Sequence, residues 1–273
     1  MSSHRTYARR LQAQFGDLEL LIEDLLLLEP FQIGYLPERA PRAALWSVLK
    51  YHPEIRLELL SRHPPLEAYY DFLTHRYNKG KRTDLALAEA NLLWEIADLI
   101  IYNKYPEEFD RRVSIEYNPA ELTDILDLTG KTVIDAGAGT GKLTFMLASL
   151  VREVIAVEPV GALRNYISDK SATSKVNNIR VLSGFLHDLP CGNHSVDAVF
   201  TSHAFGWRLA DELAEIERVV RSGGFAIHLS GLPVGLPDHV IHRTITSPRW
   251  GYRAVSYREA GGLKQKYWKQ ITV

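Results

Sequence analysis

Thr132-Val133-Ile134-Asp135-Ala136-Gly137-Ala138-Gly139-Thr140-Gly141-Lys142 joins a β-branched apolar run to three glycines at alternate positions. Val133 and Ile134 predict a buried strand, and Lys142-Leu143-Thr144-Phe145-Met146-Leu147-Ala148 opens a helix. Between them the glycines let the backbone turn sharply with no Cβ in the way of a ligand. Backbone N–H groups at such a helix start suit a polar or anionic, nucleotide-like ligand. Spacing narrows the kind of turn. A P-loop needs Gly-x-x-x-x-Gly-Lys followed by Ser or Thr, but Ala136 stands at the first glycine and Leu143 follows Lys142. A dinucleotide fingerprint needs Gly-x-Gly-x-x-Gly, whereas Gly137, Gly139 and Gly141 are spaced Gly-x-Gly-x-Gly.

Downstream the pattern alternates strand and helix. Glu153 to Val157 reads as a second strand, Pro159 to about Lys170 as a helix, Ile179 to Leu182 as a third strand, and Asp197 to Thr201 as a buried fourth. Leu209 to Arg221 is a helix with Leu213, Ile216, Val219 and Val220 on one face, ended by Ser222-Gly223-Gly224 before a fifth strand, Phe225 to Ser230. Residues 231–251 read as irregular, with one short helix near Asp238 to Thr246. Tyr252 to Tyr257 and Leu263 to Trp268 are two strands joined by a turn at Ala260-Gly261-Gly262. Strands and helices alternating at this spacing argue a parallel sheet with right-handed crossovers.

Residues 118–273 resemble the class I S-adenosylmethionine-dependent methyltransferases. The resemblance rests on the glycine turn, on Glu158 closing the second strand, on Ser195-Val196-Asp197-Ala198-Val199 entering the fourth, and on the helix from Glu215 to Gly224. It implies a Rossmann-like, doubly wound seven-stranded sheet whose last strand is antiparallel, and S-adenosyl-L-methionine as cofactor. It assigns cofactor contacts to Asp135, Gly137, Ala138, Gly139, Gly141, Glu158, Pro159, Gly184, Phe185, Leu186, Thr201 and Ser202. Glu158 is the acid expected at the ribose, where one carboxylate accepts from both hydroxyls. Asp135 is the acid expected near the methionine end. In Gly184-Phe185-Leu186-His187-Asp188 the family commonly has an acid directly after the glycine to hold the adenine amino group. Phe185 replaces it, leaving three readings: Phe185 stacks on adenine, Asp188 or a backbone carbonyl accepts instead, or Phe185 is core.

Beyond strand four, Thr201-Ser202-His203-Ala204-Phe205-Gly206-Trp207-Arg208 is where an acceptor should approach. His203 is the candidate catalytic base for a hydroxyl or amine, or else a hydrogen-bond partner of the loop. The expected reaction is methylation of a small-molecule O, N or C nucleophile. One alternative is an RNA methyltransferase, since the glycine turn also resembles the opening of ribosomal RNA adenine dimethylases, but Thr201 to Phe205 lacks their Asn-(Leu/Pro)-Pro-(Tyr/Phe) tetrapeptide. Another is a catalytically silent cofactor-binding scaffold. Tyr166-x-x-x-Lys170 fits a short-chain dehydrogenase pattern but falls too early in the fold for that family. His239 and His242 lie three apart without a third ligand, so no metal site is expected.

The region before this, residues 1–117, reads as a helical domain or lid. Leu18 to Leu28 repeats at helical spacing up to Pro30, and Pro41 opens a helix through Ala44, Leu45, Val48 and Leu49. Further helices follow Pro53 and Pro64, and a longer one spans Asp84 to about Tyr102. Asn118-Pro119-Ala120-Glu121 has the form of a capping box starting a helix through Ile125 and Leu126. A homodimer contact through the helical region is a further expectation. Formal net charge is −1 over 273 residues, against a surface devoted to nucleic acid. Cys191 is the only cysteine, which excludes an intramolecular disulfide and fits the reducing cytoplasm. Neither a signal-peptide core nor a run long enough for a bilayer is evident, so no membrane partner is expected.

Overall fold

The computed structural model describes residues 2–77, 84–113, 117–204, 206–231, 239–259 and 262–272. Part of the segment ahead of the last helix, including Asp238, the loop residue Phe205, and Ala260-Gly261 of the closing turn lie outside the described residues. Two compact units divide the chain, Met1–Arg112 and Val113–Val273.

The first unit is helical: Ser2–Phe15, Pro30–Ile33, Leu36–Arg39, Arg42–Tyr51, Pro53–Arg62, Leu66–Tyr77, Leu85–Glu95, Ala97–Lys104 and Pro106–Arg112, with a 3-10 helix at Ile22–Leu27. Its core gathers Leu25, Leu28, Leu45, Leu49, Leu59, Leu92 and Ile100. Two expectations change here. The Leu18–Leu28 stretch forms only that tight helix: Ile22, Leu25 and Leu28, three apart, are buried together with Asp24, while Leu21, Leu26 and Leu27 stay exposed; a period of three is the 3-10 repeat. The helix expected from Asp84 to Tyr102 breaks at Ile96 (φ −118°, ψ 16°), which lets Ile96 itself enter the core fully buried. Asp84 starts the first piece, its carboxylate accepting from Leu87 N–H at 3.1 Å.

The second unit is a seven-stranded sheet: β1 (Thr132–Ala136), β2 (Glu153–Val157), β3 (Ile179–Leu182), β4 (Val196–Ser202), β5 (Val220–Gly231), β6 (Arg253–Glu259) and β7 (Gly262–Gln270). Their order is β3-β2-β1-β4-β5-β7-β6. The first five run parallel, and β7 is antiparallel to both β5 and β6. The expected doubly wound sheet with an antiparallel last strand is therefore present. Successive side chains alternate between two cores, as the period of two in a strand demands. Val133, Val154, Ala198, Phe200 and Ile227 pack with Leu143 and Leu147 of helix Lys142–Ala148. Ile134, Ile155, Val157 and Val199 pack on the other face with Leu213 and Ile216 of helix Leu209–Val219.

Most boundaries shift by one to three residues, and two shift for a reason that shows in the packing. Helical bonding after Asn118 is confined to Ala120–Thr123, with Asn118 Oδ1 accepting from Ala120 N–H at 3.1 Å; Leu122 and Leu128 then turn into the core. The helix after β4 stops at Val219, and Val220 is already extended (φ −79°, ψ 132°) and pairs with Val196. Ser222-Gly223-Gly224 is thus an irregularity inside β5. A Cβ on Gly224 would lie 2.5 Å from the Asp197 carbonyl oxygen, so only glycine allows that approach. Phe200, fully buried at the sheet centre, should be costly to truncate: Phe200→Ala is expected to lower stability by about 3–5 kcal/mol in urea unfolding followed by far-ultraviolet dichroism.

Candidate cofactor and acceptor site

The turn after β1 closes by hydrogen bonds to the end of β2. Gly137 and Ala138 N–H both donate to the Val157 carbonyl, at 2.8 and 3.1 Å, and Gly141 N–H returns to Ala138 O at 2.8 Å. Gly137, Gly139 and Gly141 have φ of +74°, +57° and +82°, the left-handed region that glycine adopts without penalty. They differ in what surrounds them. A Cβ on Gly137 would meet the Ala204 Cβ at 2.3 Å and Leu186 Cδ1 at 3.5 Å, and one on Gly141 would meet Ile167 and Phe145, whereas one on Gly139 would meet nothing within 4 Å. The middle glycine borders open space, the outer two close packing.

Glu158 sits where β2 ends and is 5% exposed. Its Oε2 accepts from Gly139 N–H and its Oε1 from Val160 N–H, both at 2.9 Å. Arg164 braces the same bend, donating to the carbonyls of Glu158 and Pro159. Burial pushes the Glu158 carboxyl up to about 7, against the pull of those two N–H donors and Arg164. Asp135 is also buried, accepts the Thr144 hydroxyl at 2.6 Å and is raised to about 7, again by burial. Each carboxylate oxygen keeps a second lone pair for an added donor.

The remaining expected residues fall into three groups. Gly184 is pinned between Pro190 and Val157, which a Cβ would approach to 2.7 and 2.9 Å. Phe185 and Asp188 exchange backbone hydrogen bonds at 3.3 and 3.0 Å, and the Phe185 ring stacks on His187 with centroids 5.3 Å apart. Leu186 and Ala204 reach Gly137, so the β1, β3 and β4 loops meet at the first glycine. Thr201, by contrast, is fully buried with its hydroxyl 2.9 Å from His228 Nδ1; its side chain is committed within the sheet. Ser202 Oγ accepts from the Tyr117 hydroxyl at 2.9 Å.

His203 has a left-handed backbone (φ +56°), fixed by its N–H donating to Leu229 O at 3.0 Å. Desolvation by surrounding protein, with Lys264 beside it, holds its imidazole below the ordinary histidine value. Glu212 anchors the same loop, taking Gly206 N–H at 2.7 Å and Arg208 N–H at 2.9 Å. Tyr117 and Glu212 were not singled out from the sequence: a tyrosine ahead of a short helix and a glutamate within one carry no spacing signal. His239 and His242 have structural bonds, His239 Nδ1 accepting from Ile241 N–H at 3.3 Å and His242 Nδ1 lying 2.9 Å from the Tyr267 hydroxyl. Among the described residues no group of three His, Cys, Asp or Glu side chains could hold a metal, and no helix is long and apolar enough to cross a membrane.

Residues 134–228 match the family model described as a methyltransferase domain. An uncharacterized methyltransferase of Mycobacterium tuberculosis is 32% identical over 109 residues, covering 40% of this chain and 43% of that protein. A malonyl-acyl-carrier-protein O-methyltransferase of Coxiella burnetii is 34% identical over 109 residues, covering 39% and 36%. The match thus spans about two fifths of the length of these relatives. In three dimensions the chain is similar to a SAM-dependent methyltransferase of Aquifex aeolicus, with TM-score 0.50, 18% identity, 61% of this chain and 98% of that one covered; at that identity the likeness establishes the fold.

The glycine contrast yields two expected outcomes. Gly139→Ala should lower the melting temperature only by the strain of its positive φ, whereas Gly137→Ala should lower it further, because its methyl also collides with Ala204. Both buried carboxyls have folded-state values above the ordinary 3.8 and 4.5, so ionising them disfavours the fold. Their contribution therefore improves as pH falls through about 7 toward the unfolded-state values. Asp135→Asn should flatten part of that dependence in melting curves from pH 8 to 5.

Proposed function

We propose, from the premise that residues 134–228 form a methyltransferase domain, that the protein transfers a methyl group from S-adenosyl-L-methionine to a small-molecule nucleophile. The observation that carries this reading is the buried Glu158 carboxylate bonded to Gly139 N–H beside open space at that glycine. An acceptor-only group fixed there suits a vicinal diol, as on a ribose. The turn's own donors support the same choice over a dinucleotide. The N–H groups of Gly137, Ala138 and Gly139 are taken by Val157 and Glu158, so they offer no cradle to a pyrophosphate.

In this reading Glu158 holds the ribose, the Gly137–Gly141 turn admits the backbone edge of the cofactor, and Gly184 to Leu186 border the adenine. Asp135 lies on the methionine side, its effect passing through Thr144 and the turn. Bound there, the cofactor supplies an electrophilic methyl on a sulfonium, which needs no metal and little acid. The protein's part is alignment of an in-line approach and exclusion of water. Acceptor chemistry belongs to the Ser202–His203 end of β4. His203, kept neutral at pH 7 by its lowered pKa, is the group to take a proton from a hydroxyl or amine. The relative named as a malonyl-acyl-carrier-protein O-methyltransferase supports oxygen as an acceptor atom. The single cysteine supports a cytoplasmic location, and exposed Leu21, Leu26 and Leu27 support a homodimer contact on the helical unit.

Isothermal titration with S-adenosylmethionine and, separately, NADH tests the cofactor. S-Adenosylmethionine alone should bind, and Glu158→Ala should weaken it about 10- to 100-fold, the loss of hydrogen bonds to a charged group worth about 1.5–3 kcal/mol. Affinity should also rise with pH through about 7 as Glu158 ionises, and Glu158→Gln should remove that slope. Binding of NADH alone would sink the proposal. For His203, replacement by Asn, which tolerates a positive φ, should cost about 10²- to 10⁴-fold in kcat on an acceptor that must lose a proton. The acid limb of wild-type kcat/KM should fall below pH 6.5; unchanged turnover in His203→Asn would remove the residue from the mechanism.

A further inference from the structure

The edge of the sheet opposite the glycine turn carries a cleft of about 310 Å³, lined by Thr132, Arg152, Glu153, Arg180, Cys191 and Ser195 among others. It lies at the amino-terminal ends of β1, β2 and β4, since Thr132, Glu153 and Val196 are the first residues of those strands. The connections explain why it exists. β1–β2 and β2–β3 are joined through helices Lys142–Ala148 and Gly161–Thr173, whereas β3–β4 is joined by residues 183–195 with no helix. This connection closes over the strand ends incompletely.

The wall is fixed without a ligand. Arg218 donates to the carbonyls of Leu189 and Cys191 and to Asn193 Oδ1, at 3.0, 2.9 and 2.8 Å. Ser195 Oγ closes back on Gly192 O at 2.7 Å, and Leu189 N–H is held by Glu215 at 2.8 Å. Ile155 and Val196 close its base, both buried. The charge on the lining is two arginines against one glutamate. Arg152 Nη2 donates to Thr132 Oγ1 at 2.6 Å, and Arg180 Nε lies 3.2 Å from Glu153 Oε1. A guanidinium carries five N–H donors in a planar fork, so one such contact on each leaves donors for a further acceptor. Arg218 and Glu215, behind the wall, neutralise each other at 2.5 Å.

We propose that this cleft is a second binding site, separate from the glycine turn, for a small organic oxyanion. Its carboxylate or phosphate end is held by Arg152 and Arg180, and the rest of it lies against Pro190 and Cys191. The shared chemistry is a planar or tetrahedral oxyanion presenting two acceptors to a guanidinium edge. The volume suits a single-ring carboxylic acid or a phosphate ester of similar size.

Cys191 lines the cleft and is the sole cysteine, which makes its alkylation a reporter of occupancy. The intact chain is treated with the neutral reagent iodoacetamide at constant ionic strength, in the presence of benzoate, phenyl phosphate or uncharged benzamide. Benzoate, phenyl phosphate or both should slow alkylation, about tenfold when the probe stands at ten times its Kd by simple mass action; which of them does so names the oxyanion. Benzamide should have no effect. Arg152→Gln and Arg180→Gln, each with a wild-type melting temperature, should abolish the slowing, while Glu158→Ala should preserve it. Absence of slowing by both anions, equal slowing by benzamide, retention in both arginine variants, or loss in Glu158→Ala would each overturn the proposal.

Discussion

The hydrogen bond from Gly139 N–H to Glu158 Oε2, 2.9 Å long, is the constraint on which the site depends. It ties the turn after β1 to the bend after β2, across the same strand pair whose backbone already supplies Val157 O to Gly137 and Ala138. A carboxylate held at 5% exposure has given up most of its water, and two N–H donors only partly compensate. That imbalance raises its pKa, and a ligand that adds O–H donors relieves it. The turn is shaped by the acid that the turn also presents.

Around that bond, loops from three strands converge because adjacent parallel strands end at one edge. Leu186 follows β3 and Ala204 follows β4, and both reach the position a Gly137 side chain would fill. Neither is adjacent to the glycine in sequence. The loop after β4 is fixed by backbone to Leu229 and by the Glu212 carboxylate. A loop fixed in this way holds His203 in a single backbone conformation. The opposite edge of the same sheet has a different character. There the missing crossover helix leaves arginine side chains around a recess, and the single sheet carries two chemically unlike ends.

Much of the second unit was legible from the chain alone. Strands β1, β2 and β4 are continuous buried runs, and the Gly-x-Gly-x-Gly spacing with Glu158 at the next strand end is a pattern that few turns satisfy. Legibility failed where local pattern had more than one solution. The leucines from Leu18 to Leu28 fit an α-helix as written, yet the chain forms a tighter helix that buries Ile22, Leu25 and Leu28, three apart. Ser222-Gly223-Gly224 reads as a helix stop, but the pairing of Val220 with Val196 ended that helix earlier. In both cases tertiary pairing overrode a correct local propensity.

For the site the division is similar. The sequence by itself determined the glycine turn, the acid at the end of β2, the alternation of strands and helices and the absence of an acid after Gly184, since each is a matter of residue type at a fixed spacing. Only the tertiary structure decided that the Thr201 hydroxyl is spent on His228, that Tyr117 meets Ser202 across 85 positions, and that Gly139 alone among the three glycines faces open space. Those facts depend on which side of a strand a residue occupies and on what a distant segment brings against it. No local pattern encodes them, because burial and hydrogen-bond partners are set by the packing of the whole sheet.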